Sequence, residues 1–238
     1  MKSYFCHYLL IGSLALLLIA CGGDSGPSGS SGSPNTPSAS VYSCECTGNG
    51  TCYEVANDAQ FDAVPWVDLA PGDTVRIHQR STPYRRIIGL RGQGSVDQPI
   101  KVCGVKGAGG ELPVISGENA TPIAGYLYDW GTGPGENIGD YGLILIGRSG
   151  TAGDDWYHKA EHIIIENLKI TGAYSANSYT PPGEGARSYE PGAAGIRVTN
   201  GNNITIRGCE ITNNGNGIFL RGDDNGDEST ITRNTLVA

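Results

Sequence analysis

The sequence predicts an all-β fold, a single-stranded solenoid of the parallel β-helix type, and three observations predict it. Strand-like segments recur: His162-Ile-Ile-Ile-Glu-Asn-Leu-Lys-Ile170 aligns with Asn203-Ile-Thr-Ile-Arg-Gly-Cys-Glu-Ile211. Apolar residues fall in matching places, at Ile163/Ile204, Ile165/Ile206, Leu168/Cys209 and Ile170/Ile211. A second segment, Gly195-Ile-Arg-Val, returns 22 residues later as Gly217-Ile-Phe-Leu, and Gly142-Leu-Ile-Leu reads as an earlier copy. Finally, 37 Gly and 13 Pro make about a fifth of the 238 residues, against roughly 12% in ordinary proteins.

Both repeated segments alternate in and out with a period of two, are too short for helices, and are separated by Asn/Gly turns. Short strands alone at this period indicate a parallel β-helix, each turn lying on the last at the ordinary inter-strand distance of about 4.8 Å. Leucine-rich repeats share the period, but their leucine ladder is missing. With apolar content of 38%, one Met and three Phe, a helical bundle, a coiled coil and a multi-span membrane protein are excluded. Gly does not recur every third residue, so collagen is excluded too.

Taken from its start, the chain first offers a secretion signal over 1–20. Lys2 supplies the positive charge and Leu9 to Ala20 the apolar run, which at 12 residues is short of a membrane span. The run ends Leu18-Ile19-Ala20-Cys21, which resembles the bacterial lipobox. That resemblance implies cleavage before Cys21, lipidation of Cys21 and, with Gly22 rather than Asp following, anchorage at the outer membrane. Residues 22–40 hold seven Ser, five Gly and three Pro among 19. They cannot build a core and are expected to be a disordered tether reaching roughly 24 Å. Residues 41–238 are then one domain.

Formal charge is −8, and −9 once Lys2 leaves with the signal, which disfavours nucleic acid or an anionic lipid surface as partner. Among the seven cysteines, Cys44, Cys46, Cys52 and Cys103 cluster early. In an exported chain they are expected to form two disulfides, for which three pairings exist. Cys46-Thr-Gly-Asn-Gly-Thr-Cys52 has the look of a hairpin closed by its own bridge, leaving Cys44 for Cys103. A zinc site is the rival, but no His lies near them in sequence and C-x-C is a poor zinc spacing. Cys209 reads as a small buried apolar residue.

The front of the domain carries Asp58-Ala-Gln-Phe-Asp62, Pro71-Gly-Asp-Thr-Val75, Gly92-Gln-Gly-Ser-Val-Asp-Gln-Pro-Ile-Lys-Val102 and Pro113-Val-Ile-Ser-Gly117. With the repeats, these pieces resemble the right-handed parallel β-helix superfamily of pectate lyases, in particular its chondroitinase-B-like and alginate-lyase-like members. The resemblance spans about 57–238. It implies a right-handed coil, a short helix capping the first turn and a first strand after Pro71-Gly-Asp-Thr-Val75. It also implies a polysaccharide, in these families an acidic one, as partner.

Chemistry falls on three places. On Gly195-Ile-Arg-Val-Thr199, Ile196 and Val198 point inward and Arg197 and Thr199 outward; one turn on, Phe219 and Arg221 take those outward places. Arginine pairs with carboxylates and an aromatic face suits a sugar ring. In the resembled lyases an Arg or Lys on such a face removes the proton α to a uronic acid carboxylate, so Arg197 and Arg221 are the candidate catalytic residues. A solvated sheet face is the plain alternative. The insertion from Ala173 to Gly192 brings Tyr174, Tyr179, Arg187 and Tyr189, either a glycan-binding loop with Phe219 or a packed surface loop. The run Asp223-Asp-Asn-Gly-Asp-Glu228 alternates oxygen ligands, so Asp223, Asn225 and Asp227 would hold Ca2+, although its EF-hand match is poor and an acidic turn would look the same. Tyr126, Tyr128 and Trp130 read as packing residues. Asp154, Asp155, His158 and Glu161 read as a polar loop rather than a metal site.

Two functions follow from this reading. One is a surface lipoprotein that binds and cleaves acidic polysaccharide by β-elimination; the other is a non-catalytic glycan-binding or adhesive solenoid. The third repeat, Thr230 to Leu236, sets Ile231 under Ile206 and Leu236 under Ile211, and no polar cap follows before Ala238. An uncapped end implies that the solenoid continues in a longer protein.

Overall fold

The computed structural model describes residues 44–46, 48–123, 137–147 and 158–221, together with the backbone of 235–237. The signal, Cys21, the tether, Tyr126, Tyr128, Trp130, Asp154, Asp155 and the run 223–228 lie outside the described residues. Strands dominate the rest, with one six-residue α-helix and two short 3-10 turns.

Three parallel sheets carry the architecture. The largest orders β1 (Cys52–Val55), β2 (Thr74–His78), β4 (Ile100–Val105), β9 (Ile163–Glu166), β15 (Thr205–Arg207) and β18 (Thr235–Val237) side by side. A three-stranded sheet holds β5 (Val114–Ser116), β10 (Lys169–Thr171) and β16 (Glu210–Thr212). A five-stranded sheet runs from β6 (Thr121–Pro122) through β3 (Arg86–Leu90), β7 (Gly142–Ile146) and β13 (Ala194–Thr199) to β17 (Asn216–Arg221). The chain visits them in turn: β9, β10, β13, then β15, β16, β17.

The register agrees with most of the sequence alignment. Ile165 lies opposite Ile206, Ile170 opposite Ile211, and Ile196 opposite Ile218. Inward side chains form one core: Val75, Val102, Ile165 and Ile206 from the first sheet, Ile115 and Ile170 from the second, Ile88, Ile144 and Ile196 from the third. Corners are made by residues with left-handed backbone at Asn167, Asn200, Asn203 and Asn213, which asparagine tolerates. Asn214 and Asn216 join segments far apart in sequence instead: Asn214 Nδ2 donates to the Ile170 carbonyl at 3.2 Å and Asn216 Nδ2 to that of Gly192 at 2.7 Å.

Four expectations are corrected. Leu236, not Ile231, lies opposite Ile206, because a longer segment precedes β18. Gly142 lies beside Ala194 rather than Gly195, so Ile144 and not Leu143 pairs with Ile196. Every residue of β7 is buried, and a strand apolar on both faces carries no pattern that sets its register. The Cys46–Cys52 loop is not a β-hairpin: bends at 48–50 feed β1, which pairs in parallel with β2. Strand β1 therefore comes before the Pro71-Gly-Asp-Thr-Val75 strand, β2.

Helix α1 (Asp58–Ala63) packs beside β1. Asn57 caps the helix by accepting from Gln60 N at 2.9 Å, while Gln60 Oε1 accepts from the preceding Ala56 N at 2.7 Å. Phe61 is buried against Trp66 and Tyr84, at ring separations of 4.8 and 5.4 Å. Cys44 is bonded to Cys103 and Cys46 to Cys52.

Candidate functional site

The outward face of β13 and β17 gathers the residues that sequence placed there. Parallel pairing sets Arg197 beside Phe219 and Thr199 beside Arg221. The Arg197 guanidinium lies 4.2 Å from the Phe219 ring centroid and 5.1 Å from that of Tyr141. Both rings attract the cation through their negative faces. Thr199 is buried, and its Oγ1 has no hydrogen-bond partner among the described residues. The side chain of Arg221 lies outside the described residues.

This face has a boundary that sequence did not give. Arg197 lies opposite Leu145 of β7 on its other side, and Leu145 is fully buried. Among the described residues, the face is therefore closed on its β7 side.

Tyr141 ends a 3-10 turn, Ile138–Tyr141, whose Asp140 is the most densely bonded acid described. Asp140 is buried. Its Oδ1 accepts from Arg187 Nε at 2.9 Å and Tyr179 Oη at 2.7 Å; its Oδ2 accepts from Arg187 Nη2 at 2.6 Å and Asn137 N at 2.9 Å. Burial alone would raise this carboxyl, but the bonds from Arg187, Tyr179 and Asn137 and the charge of Arg187 outweigh it and hold it below the usual carboxylate range. Burial, with the Asp140 charge, pushes the Tyr179 hydroxyl up. The Asp140 contact likewise raises Arg187.

The insertion is thus anchored rather than open. Strands β11 (Ser178–Tyr179) and β12 (Arg187–Ser188) form a small antiparallel pair within it. Tyr179 and Tyr189 are buried with rings 5.1 Å apart, and Tyr189 Oη donates to the Gly117 carbonyl at 2.9 Å. Of the two readings of this loop, Tyr179 and Tyr189 take the packed one, while Arg187, partly exposed, grips Asp140. Tyr174 alone of that set is half exposed. Sequence reasoning missed Asp140 and Tyr141. Asn137 followed three residues on by an acid is a capping-box spacing that could have located the turn.

The remaining candidates disperse. His158 Nε2 lies 2.8 Å from the Arg91 carbonyl, and Glu161 takes Asn202 Nδ2 at 3.4 Å. Cys209 is half-buried, and burial pushes its thiol up to about 11, which disfavours the reactive thiolate. On the first sheet, Cys46, Cys52 and Glu54 place sulfur and oxygen atoms within 4.8 Å of one another.

Compared with protein families, curated proteins and solved structures, the chain matches none. The site must be read from its own chemistry. A partly buried guanidinium stacked against aromatic rings can hold a carboxylate against an apolar ring face.

Proposed function

We propose that the chain is an exported lipoprotein, anchored through Cys21, whose 41–238 region is a right-handed parallel β-helix that binds acidic polysaccharide on the outward face of β13 and β17. The β-helix reading is supported by the repeated visit to three parallel sheets with Asn corners. The observation that carries the function is the Arg197 guanidinium over the Phe219 and Tyr141 rings. Arg197 supplies charge for a uronic acid carboxylate, and Phe219 supplies a face for the pyranose ring.

Cleavage by β-elimination is the second step of this reading, with Arg197 or Arg221 as base. The stacking favours the non-catalytic reading over it. Aromatic faces stabilise arginine as a cation, which suits an anion ligand, whereas proton abstraction requires that charge to be given up.

The test uses the purified protein with alginate, pectate and chondroitin, with calcium and then with chelator. Calorimetry reads binding; ultraviolet absorbance reads the unsaturated sugar that β-elimination leaves. We expect binding to one of the three, weakened roughly tenfold or more by Arg197→Ala and by Phe219→Ala. Absorbance that rises with wild type and not with Arg197→Ala or Arg221→Ala would make it a lyase. Absence of binding to any acidic polymer would reject the proposal.

A further inference from the structure

We propose that Cys46, Cys52, Glu54 and His78 form a redox-controlled site for a thiophilic divalent cation such as zinc, closed as a disulfide when oxidised and open to metal when reduced. Sequence set zinc aside because no histidine stands near these cysteines. The strand register supplies one. Cys52 and Glu54 are two apart on β1 and share its outward face, as period two requires. Parallel pairing puts Arg76 opposite Glu54 and His78 one step further along the same face. The His78 Nε2 atom lies 2.5 Å from Glu54 Oε2, and Cys52 Sγ lies 3.8 Å from Glu54 Oε1. Cys46, six positions before Cys52, is held at this point by the bridge between them.

Two sulfurs and a carboxylate lie within 4.8 Å of one another in one exposed patch, and His78, bonded to Glu54 Oε2, swings in as the fourth donor of a set suited to tetrahedral zinc. In the oxidised chain the sulfurs are spent on each other. Reduction by a dithiol takes two electrons and two protons from that dithiol, which closes to its own disulfide, and leaves two thiols on Cys46 and Cys52. Metal binding then releases the thiol protons to water. Arg76 also donates to Glu54, and its charge opposes a cation. The metal takes Glu54 by displacing that contact, so removing the arginine strengthens the site.

Cobalt(II) is the probe, because thiolate ligation gives it an intense absorption band. The full-length protein is reduced with a dithiol, freed of it without oxygen, and titrated with cobalt, then with zinc. We expect one equivalent of thiolate-bound cobalt, displaced by zinc. The band is absent from the oxidised protein, Cys46→Ser and Cys52→Ser, and present in the Cys44→Ser/Cys103→Ser variant. His78→Ala weakens binding roughly tenfold or more, and Arg76→Gln tightens it. No band in the reduced protein, folded or not, overturns the proposal, as does a band that survives Cys46→Ser.

Discussion

Asp140 sets the local energetics of the insertion. Removing Arg187 would leave a buried carboxylate with Tyr179 and Asn137 as its remaining donors. Breaking a buried pair from one side typically costs about 3–5 kcal/mol. Arg187 is itself partly exposed, so Arg187→Ala is expected near the low end, about 3 kcal/mol, read from the urea midpoint. The acid limb follows from the direction of the Asp140 shift. A carboxyl held lower in the folded than in the unfolded chain contributes stability above its unfolded value, and loses it as pH falls through the folded one. Wild type should therefore lose stability steeply in strong acid, and Asp140→Asn should flatten that limb while lowering stability at neutral pH. This role was not legible in sequence. Tyrosines and an arginine in a Gly/Pro-rich loop look alike whether they face sugar or pack, and the partner Asp140 lies 47 residues away from Arg187.

At the scale of strands and corners, sequence carried more. The shared offset of 41 residues placed Ile165 on Ile206 and Ile170 on Ile211, because each strand shows an alternation that only one register buries. The alternation failed where both faces are apolar, at β7. Corners follow the same logic through backbone angle. His162 holds φ of 49° between strands β8 (Ala160–Glu161) and β9, a left-handed position that asparagine accepts more readily. His162→Asn should raise stability modestly, against the loss of the long Asn203 Nδ2 contact to the ring. Gly104, inside β4, has the opposite sign. A Cβ there would stand 1.9 Å from the Asn167 carbonyl oxygen and 2.7 Å from Pro113 Cγ. Backbone cannot yield that far, so Gly104→Ala should cost about 1–3 kcal/mol. Thermal melts of the two variants should move in opposite directions, and a shared direction would contradict the corner argument.

For the molecule as a whole, the two disulfides do unequal work. Cys44–Cys103 ties the segment entering the domain to the third strand of the largest sheet across a sequence separation of 59, whereas Cys46–Cys52 spans six. If a bridge acts mainly by restricting the unfolded chain, the gain grows with the logarithm of the loop it closes, about 4 kcal/mol for the long loop and about 2 for the short one. Packing reinforces the difference. Cys103 is fully buried on the outward face of β4. Its neighbour in the ladder is Glu166, equally buried and gripped by Arg207 through Nε at 2.7 Å and Nη2 at 2.6 Å. Loss of Cys44 from Cys103 lets water reach that ion pair, while loss of the Cys46–Cys52 bridge opens an exposed loop. Cys44→Ala/Cys103→Ala should lower the denaturant midpoint about twice as far as Cys46→Ala/Cys52→Ala, measured in oxidising buffer with Cys209 unchanged. Equal shifts would mean that the bridges act through the folded state rather than through the length of chain they close.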